Sequence, residues 1–331
     1  MMEHPLLHKG KNVRNGLLRN VMKGLLYLLL LLLAAIAVGV GLSWAPDKPV
    51  EELKARWAPS PSQFIDIGGL QVHVRDEGPR DDAVPLVLIH GTAASLHTWE
   101  GWVAALKGKH RVITIDLPGF GMTGPNAQDD YSNAVYVRFM LDVLDKLGVQ
   151  KCILGGNSLG GEIAWQVAVA APQRVDKLIL VDAGGYAFKP KSVPLGFVIA
   201  RIPGLNRLTE WTLPRSLMEK SVRNVYGDPS RVTPALVDRY EAMTLRQGNR
   251  HALGKRFSQL DGGASAGKIS TITVPTLILW GGRDNLIPFE NALHFQHDIA
   301  GSKLVKFEQL GHVPQEEDPA ATVATVQTFL N

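Results

Sequence analysis

Apolar and polar positions divide the chain into unlike parts. Between Gly24 and Pro46 no side chain is charged, and Leu25 to Leu42 is almost wholly apolar, with LYLLLLLLAAIAV at its centre. The 22 residues Gly24–Ala45 would form a helix of about 33 Å, enough to cross a hydrocarbon layer of about 30 Å. The pattern predicts one transmembrane helix. A signal peptide is the rival, since Ala35-Ile-Ala37 has a small-x-small cleavage pattern, but the run exceeds the ~7–15 apolar residues of such a leader. Residues 46–62 are proline-rich and charged and read as a linker with a short helix.

Shorter apolar runs then repeat. Phe64–Ile67 and Gln71–Arg75 flank Gly68-Gly69 as a hairpin. Runs at Pro85–His90, Arg111–Asp116, Lys151–Gly155, Lys177–Val181, Pro275–Trp280 and Lys303–Glu308 have the continuous apolarity of strands buried on both faces. Helical patterns at Val135–Leu147 and Leu159–Ala171 separate some of them. This alternation predicts an α/β fold with a doubly wound, mostly parallel sheet, antiparallel only at its opening hairpin, that binds ligands at the C-terminal ends of its strands.

About ninety residues separate Val181 from Pro275, far more than an ordinary connection. Helical patterns at Leu195–Ile202, Leu208–Lys220 and Thr233–Arg246 make this insertion a helical cap over the strand ends. Its apolar residues Phe197, Val198, Ile199, Trp211, Leu213, Leu217 and Met218 would form the cap's own core or line a substrate pocket. The expected organisation is a basic tail (1–23), a membrane anchor (24–45), a linker (46–62), a core domain (63–185 and 251–331) and a cap (186–250).

Charge adds orientation. Five basic residues against Glu3 precede residue 24, a net of +4 that equals the formal charge of the whole 331-residue chain. The remainder balances, so no basic footprint for nucleic acid lies on the folded part, and no nucleic-acid partner is expected. Basic residues before the span and Asp47, Lys48, Glu51 and Glu52 after it keep the N-terminus cytoplasmic under the positive-inside rule and put the remaining domain on the extracytoplasmic side. A single cysteine, Cys152, leaves no internal disulfide and no cysteine-rich metal site.

The chemistry centres on Gly156-Asn-Ser-Leu-Gly160. A G-x-S-x-G sequence between a strand and a helix is the nucleophile-elbow pattern, in which a tight turn projects the serine above the sheet. A dinucleotide-binding turn needs glycine where Ser158 stands, and a Walker loop needs Gly-Lys-Ser/Thr where Gly161-Glu162 stands. A nucleophilic serine needs an acid and then a histidine further along the chain. Asp284 ends LWGGRD and His312 ends EQLGH, each after a strand. Asp182 also ends a strand and is the competing acid. Asp284 is preferred because it lies beyond the insertion in an exposed turn. His90 is expected to prop its loop. The backbone N–H of Leu159 and that of Thr92, with Ala93 as its neighbour, are the expected oxyanion donors.

With HGTAASLHTW, DLPGFGMTGP, GGNSLGG, LWGGRDNLIP and LGHVPQEEDP in that order, the chain resembles the α/β-hydrolase superfamily over residues 64–331, and in particular its small esterase/lipase-like members with a helical cap. The resemblance implies Ser158 as nucleophile, Asp284 as acid, His312 as base and Thr92 with Leu159 as oxyanion hole, and no metal or organic cofactor. It implies a small carboxylic ester as substrate, and an apolar cap beside a membrane favours medium-chain or lipid-like esters. Haloalkane dehalogenases and epoxide hydrolases of this fold carry an aspartate nucleophile, unlike Ser158. Carbon–carbon hydrolases of ring-cleavage products share the GNS elbow, but carry a Gly-Pro-Gly loop and a tryptophan after the histidine where Thr92-Ala-Ala-Ser95 and Val313-Pro-Gln315 stand here. They are the runner-up, ahead of a non-catalytic binding protein or a membrane-tethered interaction protein on the same fold.

Overall fold

A computed structural model describes residues 6–331 except 203, 205, 206 and 208, with side chains described from residue 17 onward. The chain forms two units, one ending at Ala45 and one spanning Pro46–Asn331. In the first, helix α1 runs Leu6–Leu42. Its segment Leu17–Leu42, 26 residues with none buried, is long and apolar enough to cross a bilayer. It ends three residues before the expected Ala45, at a turn over Ser43.

The second unit opens with the short helix expected of the linker, α2 (Val50–Trp57), and is built on eight strands: β1 (Ser62–Ile67), β2 (Leu70–Glu77), β3 (Leu86–Ile89), β4 (Val112–Ile115), β5 (Cys152–Asn157), β6 (Val175–Val181), β7 (Thr276–Gly281) and β8 (Lys303–Phe307). All eight coincide with runs expected from the apolar pattern. Their order in the sheet is β1-β2-β4-β3-β5-β6-β7-β8. The β1/β2 hairpin is antiparallel, and β2 also meets β4 antiparallel. Every other pairing is parallel.

Strand parity explains the continuous apolar runs. Successive side chains point to opposite faces. Leu86, Leu88, Ile179, Val181, Leu277 and Leu279 enter one core, while Val87, Ile89, Leu178, Leu180, Ile278 and Trp280 enter the other. The first core is covered by α3 (Glu100–Leu106) and the C-terminal helix Pro319–Leu330, through Trp102, Val323 and Val326. There the buried Trp102 indole donates to Thr322 Oγ1 at 2.9 Å. The second is covered by α4 (Asn133–Lys146) and α5 (Leu159–Ala170), which contribute Val143, Ile163 and Trp165. Strand order reverses at β3, so the loops after β3 and β5 diverge and open a crevice at the C-terminal edge.

Between β6 and β7 stand the helices Leu195–Arg201 (α6), Arg215–Asn224, Pro234–Leu245 and Asn249–Ser258. The second begins later than the pattern suggests, behind Pro214, and the expected start at Leu208 lies outside the described residues. The fourth is not announced by the pattern, because its buried positions are Asn249, Arg250, Ala252 and Arg256. A helix that buries paired polar groups has no apolar stripe to read.

Beneath the β3 and β4 loops a buried ionic cluster holds backbone in place. Asp116 is fully buried and takes hydrogen bonds from His73 Nδ1 at 2.7 Å, Leu96 N at 2.7 Å and Met122 N at 2.7 Å. Burial pushes its pKa up, but the charge and hydrogen bond of His73 outweigh this and leave it well below the usual carboxylate range. A carboxylate depressed on folding stabilises the fold above its unfolded pKa of about 3.9 and loses that contribution as pH falls through the folded value. Asp116→Asn should therefore cost about 3–5 kcal/mol at neutral pH by breaking a buried pair. In thermal melts, its deficit against the wild type should shrink as pH falls below about 4.

Candidate active site

Ser158 stands between β5 and α5 with φ 56° and ψ −117°. Such a backbone costs an L-residue about 1–3 kcal/mol and persists only where the surroundings impose it. Among the described residues four non-glycines have positive φ, and Ala93, Ser158 and Asp182 are three of them. Each follows a strand, β3, β5 or β6, so the strain is gathered at the C-terminal edge of the sheet. The turn is enforced by close approach: a Cβ on Gly160 would lie 2.1 Å from the Ile89 carbonyl oxygen and 2.7 Å from that of His90. Gly91 brings the next loop up to the serine, since a Cβ there would sit 3.1 Å from Ser158 Cβ.

His312 Nδ1 lies 2.7 Å from Asp284 Oδ2, both groups buried. Asp284 Oδ1 accepts from the Leu286 and Ile287 N–H groups at 2.7 and 3.0 Å. Three N–H groups thus point at its oxygens, with the carboxylate as acceptor each time. The ring proton is thereby held on Nδ1, leaving Nε2 as the acceptor. Ser158, His312, Thr92, Ala93 and Leu159 all line one cavity of about 410 Å³. Leu159 opens α5, where the first N–H groups have no acceptor within the helix. Among the described residues the Thr92 and Ala93 N–H groups donate no hydrogen bond. These are the atoms an oxyanion needs.

His90 braces this loop. Its Nδ1 donates to the Gly91 carbonyl at 2.7 Å, and its Nε2 accepts from Leu117 N at 3.0 Å. Burial lowers its pKa. Both nitrogens are thus engaged by backbone, as expected of a prop.

Residues 84–319 match the α/β hydrolase fold family. The chain belongs to the α/β-hydrolase family. It is 29% identical over 284 residues to the 2-hydroxymuconate semialdehyde hydrolase of Pseudomonas sp. strain CF600, covering 82% of this chain and 95% of that one. Its fold is similar to that of a meta-cleavage product hydrolase from Pseudomonas fluorescens IP01, at 28% identity and TM-score 0.70, covering 81% of this chain and 97% of that one. It is also similar in fold to a bacterial membrane phospholipase A, at 24% identity and TM-score 0.68, covering 97% and 98% of the two chains.

Several supports of this candidate site were not read from the sequence. Asn157 donates to the Val181 carbonyl at 3.1 Å and the His312 carbonyl at 2.9 Å, tying the serine turn to the histidine loop. Glu317 accepts from Gly311, Gly227 and Asp228 N–H groups at 2.8, 2.9 and 2.7 Å. It clamps that loop to the insertion, where His312 N also donates to the Val225 carbonyl at 2.8 Å. Val313 packs into the insertion's own core with Met218, Val222 and Tyr226. Asn157 beside the serine was the one readable signal; Glu317 lies 90 residues from Gly227, and nothing local marks it.

Of the insertion's apolar residues, Phe197, Leu213, Leu217 and Met218 line the cavity, while Val198 and Trp211 are exposed. Two arginines in the cavity wall are already paired. Arg250 Nη2 meets Asp47 at 2.6 Å, and Arg256 Nη2 meets Glu162 at 3.3 Å. Burial pushes the Glu162 pKa up, with Arg256 opposing it.

Proposed function

We propose that this hydrolase cleaves carboxylic esters through an acyl-enzyme on Ser158. The observation that carries the reading is a strained serine and His312, itself paired with buried Asp284, bordering one cavity of ligand size. His312 Nε2 takes the Ser158 proton as Oγ attacks the ester carbonyl. The oxyanion is met by the N–H of Leu159 and of Thr92 or Ala93 as the tetrahedral intermediate forms. Collapse expels the alcohol, which leaves with the proton from His312. Water, deprotonated by the same imidazole, then attacks the acyl-enzyme and releases the acid. Asp284 stabilises the imidazolium in both steps.

Apolar lining supports an apolar acyl group. Phe188, Phe197, Leu213, Leu217, Leu253 and Leu260 are among the walls, and two of the three wall arginines, Arg250 and Arg256, are paired with Asp47 and Glu162. In this reading residues 186–250 act as a cap over the serine. Leu17–Leu42 is the membrane anchor, with the basic tail cytoplasmic and the hydrolase unit on the opposite side. A tethered enzyme with an apolar acyl site suits medium-chain or lipid-like esters.

The test is labelling of the full chain by a fluorophosphonate together with turnover of aryl esters from two to sixteen acyl carbons. Ser158-dependent labelling and a maximum at intermediate chain length are expected; neither activity depending on Ser158 sinks the proposal. The second reading, hydrolysis of a carbon–carbon bond in a ring-cleavage product, is favoured by the named activities of the relatives at 29% and 28% identity. Turnover of a 2-hydroxy-6-oxodienoate exceeding that of every ester would select it.

A further inference from the structure

Asp182 and Asp284 follow adjacent parallel strands, β6 and β7, whose register pairs Val181 with Leu279. A carboxylate oxygen of Asp182, one of Asp284 and a ring nitrogen of His312 all lie within 4.8 Å of one another. Asp182 is fully buried and held at φ 44°. Its backbone N–H donates to the Leu279 carbonyl at 3.0 Å, and its Oδ1 accepts from Gly281 N at 2.9 Å. Its Oδ2 is buried without a hydrogen-bond partner. The side chain is therefore pinned through Oδ1 to the end of β7, beside Asp284.

We propose that Asp182 is a positioning residue of the triad: a second, neutral carboxyl group beside Asp284 that takes over as the anionic partner of His312 when Asp284 loses its charge. The inference rests on the Ser158–His312–Asp284 reading above. Two carboxyls this close in a dry site do not both ionise. Three N–H donors converge on Asp284 and one on Asp182, so the shared proton resides on Asp182. Burial, then the charge of Asp284, hold the Asp182 pKa well above the usual carboxylate range, and the other charge acting on it, Glu317, has the same sign. Remove the charge at 284 and that penalty falls. Asp182 then ionises beside the imidazole from a position its backbone already enforces.

The experiment is a double-substitution cycle in the full-length protein, reading fluorophosphonate labelling of Ser158 and ester turnover across pH. Asp284→Asn alone should lose about 10–10²-fold, against the roughly 10⁴-fold typical where a triad has one acid. Asp182→Asn should cost at least about tenfold more when combined with Asp284→Asn than in the wild type. The acid limb of Asp284→Asn should move to higher pH, because activity then requires an ionised Asp182 whose pKa burial raises, and is lost as pH falls through it. That limb is read with Asp182 intact, so it holds even if variants at 182 fail to fold. Equal cost of Asp182→Asn in both backgrounds, or a 10⁴-fold loss from Asp284→Asn with an unmoved acid limb, overturns the inference alone. A wild type unlabelled at Ser158 overturns the triad reading, and this one with it.

Discussion

Ser158→Ala should lower turnover by about 10⁶-fold, since removing the nucleophile of such a triad costs about as much as removing all three members. A residual rate of about 10³–10⁴ over water should remain, from the oxyanion donors and substrate binding. The loss should fall on kcat with KM little changed, because the rest of the cavity wall is untouched. Stability should change little in thermal melts, because alanine keeps the Cβ and meets the same strained backbone at φ 56°. Equal turnover by the alanine variant would assign the chemistry elsewhere.

Gly160→Ala should cost about 10²-fold or more in turnover and about 1–3 kcal/mol in stability. The added methyl would stand 2.1 Å from the Ile89 oxygen, 2.6 Å from the Ile89 carbonyl carbon and 2.7 Å from the His90 oxygen. All three are backbone atoms of β3 and its exit, in the middle of the sheet, so no side chain can swing aside. Either α5 lifts or the Gly91–Ala93 loop moves. Both displace the N–H groups proposed to meet the oxyanion, whose contribution would depend on sub-ångström placement. Because Ser158, the proposed nucleophile, is retained, phosphonate labelling should persist at a reduced rate, which separates this variant from Ser158→Ala. Unchanged kcat in a normally folded Gly160→Ala would show that neither loop carries the oxyanion donors.

The strands were legible because a sheet covered on both faces demands apolar residues at every position, and such runs stand out whatever they pair with. Helix Asn249–Ser258 was not, because Arg250 and Arg256 are buried through pairing with Asp47 and Glu162. Pairing is a relation between distant residues and leaves no periodicity. The same holds for Glu317, whose three acceptor bonds reach two segments far apart in the chain.

Fold class, the serine turn and the apolar span follow from the linear chain, since each depends on local spacing: strand runs, glycines flanking a serine, and a stretch long enough for a bilayer. Choosing between Asp182 and Asp284 does not, since both follow β-strands of one sheet. Only the folded arrangement brings two backbone N–H groups and His312 to Asp284 and one backbone N–H to Asp182. Charge in a buried pair is set by the donors each oxygen meets, and those donors come together only when β6, β7 and the loop after β8 share an edge.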